Sequence, residues 1–183
     1  MALDNRELIC LIFCDVSKAF DRVWLRGLLL KLERYGIKGN RLQWLGSYIS
    51  AREQQVIIKN VISGKGNLKA GVPQGSILSP FLFLIFINDI ADEKIGLCRL
   101  FADDTSIGEK SYEMTSLCNM VNTDLKNISE WSKQWLVKLN PTKTDIVYFN
   151  TRDIPPGLFF WIENTRIYPV KCHKHLGITK CRL

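Results

Sequence analysis

Leu97-Cys98-Arg99-Leu100-Phe101-Ala102-Asp103-Asp104-Thr105-Ser106 is the stretch that decides how this chain is read. A short apolar run meets two adjacent carboxylates and then turns hydrophilic. Neighbouring acids repel one another, and burying either without compensation is costly. A strand ending in Asp-Asp makes sense against a divalent cation, although such pairs are also at home in solvated turns. A second acid tips the balance. Far upstream, Asp15 ends the apolar run Leu8-Ile9-Cys10-Leu11-Ile12-Phe13-Cys14 in the same manner. If the two strands are neighbours, three carboxylates meet, and carboxylate oxygens suit Mg²⁺. Two such ions about 3.5–4 Å apart activate an attacking hydroxyl and stabilise a departing oxyanion at phosphorus. Asp21 is the rival ligand; lying past the strand end, it reads as the cap of a helix opening near Arg22.

With 183 residues, 46% hydrophobic and 23% charged, the composition is that of one globular domain with a real core. Lys and Arg total 25 against 18 Asp and Glu, a net +7 spread along the chain, which fits a nucleic-acid partner. The six cysteines include no C-x-x-C pair and read as reduced residues of an intracellular protein. Cys172-His173-Lys174-His175 with Cys181 matches no standard zinc spacing. No basic leader precedes an apolar core at the N-terminus, and no apolar run reaches membrane-spanning length, so no membrane association is expected.

Leu8 to Val16 suits a strand covered on both faces. Val23, Trp24, Leu28, Leu29, Leu32 and Tyr35 predict a helix over Arg22–Tyr35, stopped by Gly36. Asn40 is expected to cap a second helix reaching about Ser50. The stretch from Gln54 to Val61 reads as a strand, turned by Gly64-Lys65-Gly66-Asn67 onto a partner near Leu68. Two glycines and a proline in Gly71-Val72-Pro73-Gln74-Gly75-Ser76 exclude regular structure, and a buried helix follows to Ile90. Leu97–Phe101 and Thr105–Gly108 form a hairpin with the acids at its tip. Leu117, Val121, Leu125, Ile128, Trp131 and Trp135 mark a long amphipathic helix ended by Asn140-Pro141. Strands are expected over Thr144–Asn150 and Phe159–Glu163. The fold class is α+β, an antiparallel sheet with helices on one face. Trp24, Trp44, Trp131 and Trp135 read as core, while Lys65 and Lys69 either touch phosphates or are solvated.

Asp15-Val16-Ser17-Lys18-Ala19-Phe20-Asp21 resembles the first catalytic motif of reverse transcriptases of non-long-terminal-repeat, LINE-like retrotransposons. Gly71-Val72-Pro73-Gln74-Gly75-Ser76-Ile77-Leu78-Ser79-Pro80 is similar to the next block of that family, and Phe101-Ala102-Asp103-Asp104 to its aromatic-x-Asp-Asp motif. Leu139-Asn140-Pro141-Thr142-Lys143-Thr144 resembles the lysine-bearing block and His175-Leu176-Gly177-Ile178 the primer-side block. The blocks occur in family order across nearly the whole chain.

The resemblance implies a polymerase palm over residues 1–183 as one partial domain. It implies Asp15, Asp103 and Asp104 as the metal-binding catalytic acids, with a Val16 carbonyl on the same metal, and two Mg²⁺ ions with Mn²⁺ as a substitute. Phe20 corresponds to the aromatic that excludes a ribose 2′-hydroxyl, and is otherwise a core residue. Gln74 corresponds to a contact on the incoming nucleotide, Gly75 to close approach of the template, and Ala102 to a small residue under the primer terminus. Lys143 corresponds to the general acid for departing pyrophosphate, and is otherwise a solvated lysine. The implied partners are an RNA template, a DNA primer and deoxynucleoside triphosphates, and the implied location is nuclear or cytoplasmic. Upstream fingers, a complete thumb and an endonuclease domain are missing from the pattern, and His175 stands where a tyrosine is usual. The rival expectation is an inactive retroelement remnant that at most binds RNA.

Overall fold

The computed structural model describes residues 7–93, 96–149, 157–175 and 177–181. In chain order they form β1 (Leu8–Cys14), α1 (Leu25–Arg34), α2 (Asn40–Ile49), and the short strands β2 (Arg52–Gln54), β3 (Ile57–Ile58), β4 (Val61–Ile62) and β5 (Gly66–Leu68). After these come α3 (Leu78–Ile87), β6 (Leu97–Phe101), β7 (Asp104–Ser111), α4 (Met114–Gln134) and β8 (Asp145–Phe149). The last strands are β9 (Phe160–Ile162), β10 (Thr165–Ile167), β11 (Cys172–His175) and β12 (Ile178–Cys181). The α+β expectation is borne out. Asn150 and Leu176 lie outside the described residues.

Two compact units divide the chain. One comprises the residues up to Ser17, Asp89–Gln134 and those from Lys138 onward; the other comprises Lys18–Asn88 with Trp135–Val137. In the first unit a four-stranded antiparallel sheet runs β6-β7-β1-β8. Cys10, Ile12, Ile107, Ile146 and Tyr148 are fully buried in it. Helix α4 packs on β1 and β7. Leu117, Val121, Leu125, Ile128 and Trp131 form its buried stripe, as their spacing predicts. The helix stops at Gln134 rather than at Asn140-Pro141, because Leu136 takes a left-handed φ of 56°.

Strands β11 and β12 form a hairpin whose register sets Cys172 opposite Cys181, and the two are joined as a disulfide. This corrects the expectation of six reduced cysteines: residues far apart by motif spacing become cross-strand neighbours once the hairpin closes. Cys10, Cys14, Cys98 and Cys118 remain free thiols.

In the second unit α1 packs on α2 and α3. The helix predicted from Arg22 begins at Leu25, because Val23 and Trp24 are extended and Phe20–Arg22 form a separate 3-10 turn. Asp21 therefore caps no helix. Gly36 ends α1 with φ 88°, as expected. Gly39, not Asn40, is the cap residue of α2. Lys31 is buried, its Nζ donating to the Phe86 carbonyl at 2.5 Å and lying 3.7 Å from the Trp135 ring centroid. Trp131 and Trp135 are core as expected, and Trp24 is partly covered. Trp44 is 57% exposed and stacks on Tyr48, four residues on along the same helix. The single strand expected over Gln54–Val61 is broken by a turn at Lys59-Asn60, where both residues have positive φ.

Candidate active site

Register brings two of the acids together. Cys14 pairs with Thr105 across the β1–β7 ladder, so Asp15, one residue beyond, meets Asp104, one residue before. Strand alternation puts both on the face away from α4, with Phe13 on β1 and Asp145 on β8. Asp15, Asp104, Lys143, Asp145, His173 and Lys174 line a cleft of about 470 Å³ on that face. Asp103 sits in the two-residue β6–β7 turn and is not among the lining residues. Ala102, its companion in the turn, carries φ 53°, a conformation that favours glycine. A non-glycine residue held there stores strain of the kind that gathers at functional sites.

Asp15 is fixed by a segment that the sequence marked only for its lysine and as a helix end. Asn140 Nδ2 donates to Asp15 Oδ2 at 3.1 Å, and the Asn140 backbone N–H donates to the Asp15 carbonyl at 2.9 Å. Ser17 N–H donates to the Lys138 carbonyl, also at 2.9 Å. These two backbone bonds bracket the Val16–Leu139 bridge, which leaves the Val16 carbonyl out of this ladder. Asn140 is held in turn by Thr142, whose hydroxyl donates to its side-chain oxygen at 2.7 Å. Lys143 Nζ lies 3.9 Å from Asp15 Oδ2 with its side chain 68% exposed, a weak, solvent-screened pair. Asp145 Oδ2 lies 2.7 Å from His173 Nδ1, and the His173 ring stacks on Phe13.

Two further observations bear on what the cleft can take. The Thr105 hydroxyl is buried and, among the described residues, has no hydrogen-bond partner. Cys14 also lines the cleft, but burial pushes its thiol up to about 12, so it stays protonated and is no nucleophile. Hard carboxylate oxygens from Asp15 and Asp104 are the donor chemistry of Mg²⁺, which keeps waters and fills its shell from substrate phosphates. A pair of acids fits such an ion. Among the described residues, no group of three or more His, Cys, Asp or Glu side chains gathers around one point.

In the second unit, Phe20, Gln74 and Gly75 line one cavity of about 520 Å³ with Ser76, Ile77, Ser79 and Pro80. The Phe20 ring stacks on Phe83 at 4.7 Å between centroids. Gln74 Nε2 donates to Asp21 Oδ1 at 2.6 Å, the contact that Asp21 makes in place of a helix cap. Gly75 has φ 79° and open space where a Cβ would stand. Gly71 is the opposite case: with φ 86°, a Cβ there would lie 2.8–2.9 Å from the Asp21 backbone, so the chain crosses itself closely at that point. The backbone N–H groups of Gly71 and Val72 complete the crossing on the Val23 and Phe20 carbonyls. Lys65 pairs with Glu53 at 2.9 Å.

Comparison with known proteins bears on the family and the fold. A family model described as reverse transcriptase (RNA-dependent DNA polymerase) matches residues 2–179. The chain is 31% identical over 193 residues to a probable RNA-directed DNA polymerase from transposon BS of Drosophila melanogaster, covering 97% of this chain and 20% of that protein. Identity is 31% over 183 residues to the corresponding protein from transposon X-element and 30% over 187 residues to that from mobile element jockey, both of the same organism and with the same coverage. The chain thus spans about a fifth of the length of the curated relatives it matches. Among solved structures it resembles apo telomerase from Candida tropicalis truncated from its C-terminal domain. The TM-score is 0.62 at 15% identity, over 95% of this chain and 35% of that one, a likeness of fold alone.

Proposed function

The chain belongs to the reverse transcriptase family, and from that premise we propose that it is the palm core of a LINE-type RNA-directed DNA polymerase. The likeness of its relatives, polymerases of a transposon X-element and of a jockey mobile element, supports the retrotransposon branch. The observation that carries the reading is the register that sets Asp15 against Asp104 on one cleft.

In the proposed reaction the primer 3′-hydroxyl oxygen bonds to the α-phosphorus of a base-paired deoxynucleoside triphosphate, and the bond to pyrophosphate breaks. The hydroxyl proton leaves to solvent. Asp15, Asp103, Asp104 and the Val16 carbonyl would hold two Mg²⁺ ions, which would supply charge stabilisation for in-line displacement. Asn140 orients the Asp15 carboxylate. Lys143, beside that cleft, gives a proton to the departing pyrophosphate. Gln74 exchanges its bond to Asp21 for one to the incoming nucleotide, and Gly75 lets the template approach. Phe20 fills the space a ribose 2′-hydroxyl needs, and Ala102 leaves room under the primer end. RNA template and DNA primer are read through backbone geometry and base pairing. Activity of this kind belongs inside the cell, nuclear or cytoplasmic. Among the described residues no helix is long and apolar enough to cross a membrane.

A second reading, an inactive remnant that binds RNA, draws on the position of Asp103 off the cleft. Primer extension on an RNA template with Mg²⁺ separates the two. The polymerase reading expects extension by the wild type and none by Asp103→Ala. Equal inactivity of both proteins, with RNA binding unchanged, selects the remnant. The sugar gate has its own readout: Phe20→Ala is expected to raise the ribonucleotide-to-deoxynucleotide ratio of kcat/KM by roughly 10–100-fold. An unchanged ratio removes Phe20 from that role.

A further inference from the structure

We propose that the hairpin arm Arg52–Leu68 is a strand-separating wedge that enters paired nucleic acid ahead of synthesis, an inference that rests on the polymerase reading. Every residue from Glu53 to Asn67 is exposed. The arm is built as two ladders in series, β2 with β5 at its base and β3 with β4 at its tip. Between them Val56 and Ser63 exchange two hydrogen bonds of 2.9 Å. The tip is a tight turn, with Lys59 at φ 46° and Asn60 at φ 67°, the pattern that matches the twist of a two-stranded ribbon. At strand rise, Arg52 to Lys59 reaches roughly 20 Å.

The surface chemistry of the arm selects its partner. Val56, Ile57, Ile58, Val61 and Ile62 are 55–72% exposed, a dense group of branched aliphatics at the end of a narrow ribbon. Three basic side chains, Arg52, Lys59 and Lys65, accompany them against one acid, Glu53, and Lys69 follows directly after the arm. Apolar side chains flanked by basic ones are the combination that enters base steps and unstacks them while phosphates are neutralised. A protein partner fits less well, because lysine at the apex is what the cores of protein interfaces lack. The base of the arm is anchored: Arg52 Nε donates to the Ile49 carbonyl at 3.0 Å, and its Nη2 donates to the Gly71 carbonyl. Arg52, Gln54 and Leu68 also line a cleft of about 640 Å³ with Lys18, Arg22 and Gln74, where three basic side chains stand against the one acid, Asp21. A polyanion held at that basic rim lies at the foot of the arm.

The test replaces Ile57, Ile58, Val61 and Ile62 by serine together; all four are exposed, so the fold is spared. On an open RNA template the variant is expected to extend a primer within about twofold of the wild type, and through a hybridised downstream strand about tenfold more slowly. A second readout needs no synthesis. An RNA fork carrying 2-aminopurine at its junction is expected to brighten with the wild type and not with the variant. Equal loss on both templates, loss on neither, or fork brightening by the variant overturns the wedge. Loss of self-association in the variant with the fork unaffected assigns the arm to a second copy of this chain. A wild type that opens the fork yet adds no nucleotide upholds the wedge and sinks the polymerase reading instead.

Discussion

Primer extension by Asp15→Asn is expected to fall at least about a thousandfold, roughly 4 kcal/mol of transition-state stabilisation. The substitution is nearly isosteric. The side-chain oxygen of asparagine still accepts from Asn140 Nδ2, and the backbone bond from Asn140 N–H to the residue 15 carbonyl is untouched. What disappears is one of the two negative charges that line the cleft with Asp104, and with it half of the paired donor set proposed for a divalent cation. Mn²⁺ titration followed by electron paramagnetic resonance should lose its tightest site in the same variant. Asn140→Ala makes a useful contrast, since it keeps the charge and frees the carboxylate. It is expected to cost only about tenfold, with affinity for the ion weakened rather than lost. Should Asp15→Asn retain activity within an order of magnitude of the wild type, the cleft it lines is not where nucleotides are joined.

The acids were legible in the sequence because each terminates an apolar run, although β6, unlike β1, is largely exposed. That they face one another follows from the β1–β7 register, which no motif spells out. Asn140 was missed for a different reason. Preceding Pro141, it looked like a stop signal, yet Asn-Pro is also a way to hold a side-chain amide in an extended turn against a neighbouring strand. The only cue was its place three residues before Lys143.

Helix starts went astray where positive φ intervenes. Lys18 at φ 52° and the extended Val23 and Trp24 delay α1, although the apolar spacing runs straight through them. The arm was read as one strand because its β-branched residues are uninterrupted by proline, and Lys59-Asn60 is a weaker turn signal than Asn-Gly. The disulfide was illegible because spacing alone does not say which cysteines a hairpin sets face to face.

Asp124 is the residue that patterning should have flagged and did not. It stands three residues after Val121 and seven after Leu117, on the apolar stripe of α4, and is 3% exposed. Burial raises its carboxyl to about 7, helped by hydrogen bonding to Glu109 and repulsion from it, against a lowering contribution from Gly96 N–H at 3.4 Å. In the unfolded chain the same group titrates near 3.8. Between these two values the folded protein keeps the proton and the unfolded chain has lost it, so stability declines as pH rises from about 4 to about 7 and levels off above. Asp124→Asn removes the titration. Relative to wild type it is expected to be similar in stability at pH 4 and more stable at pH 8, by roughly 2–4 kcal/mol. Urea unfolding followed by circular dichroism at several pH values reads the difference directly. If the two stability curves run parallel, Asp124 is ionised at no cost in the fold, and the Glu109 carboxylate is not the neighbour that holds its proton.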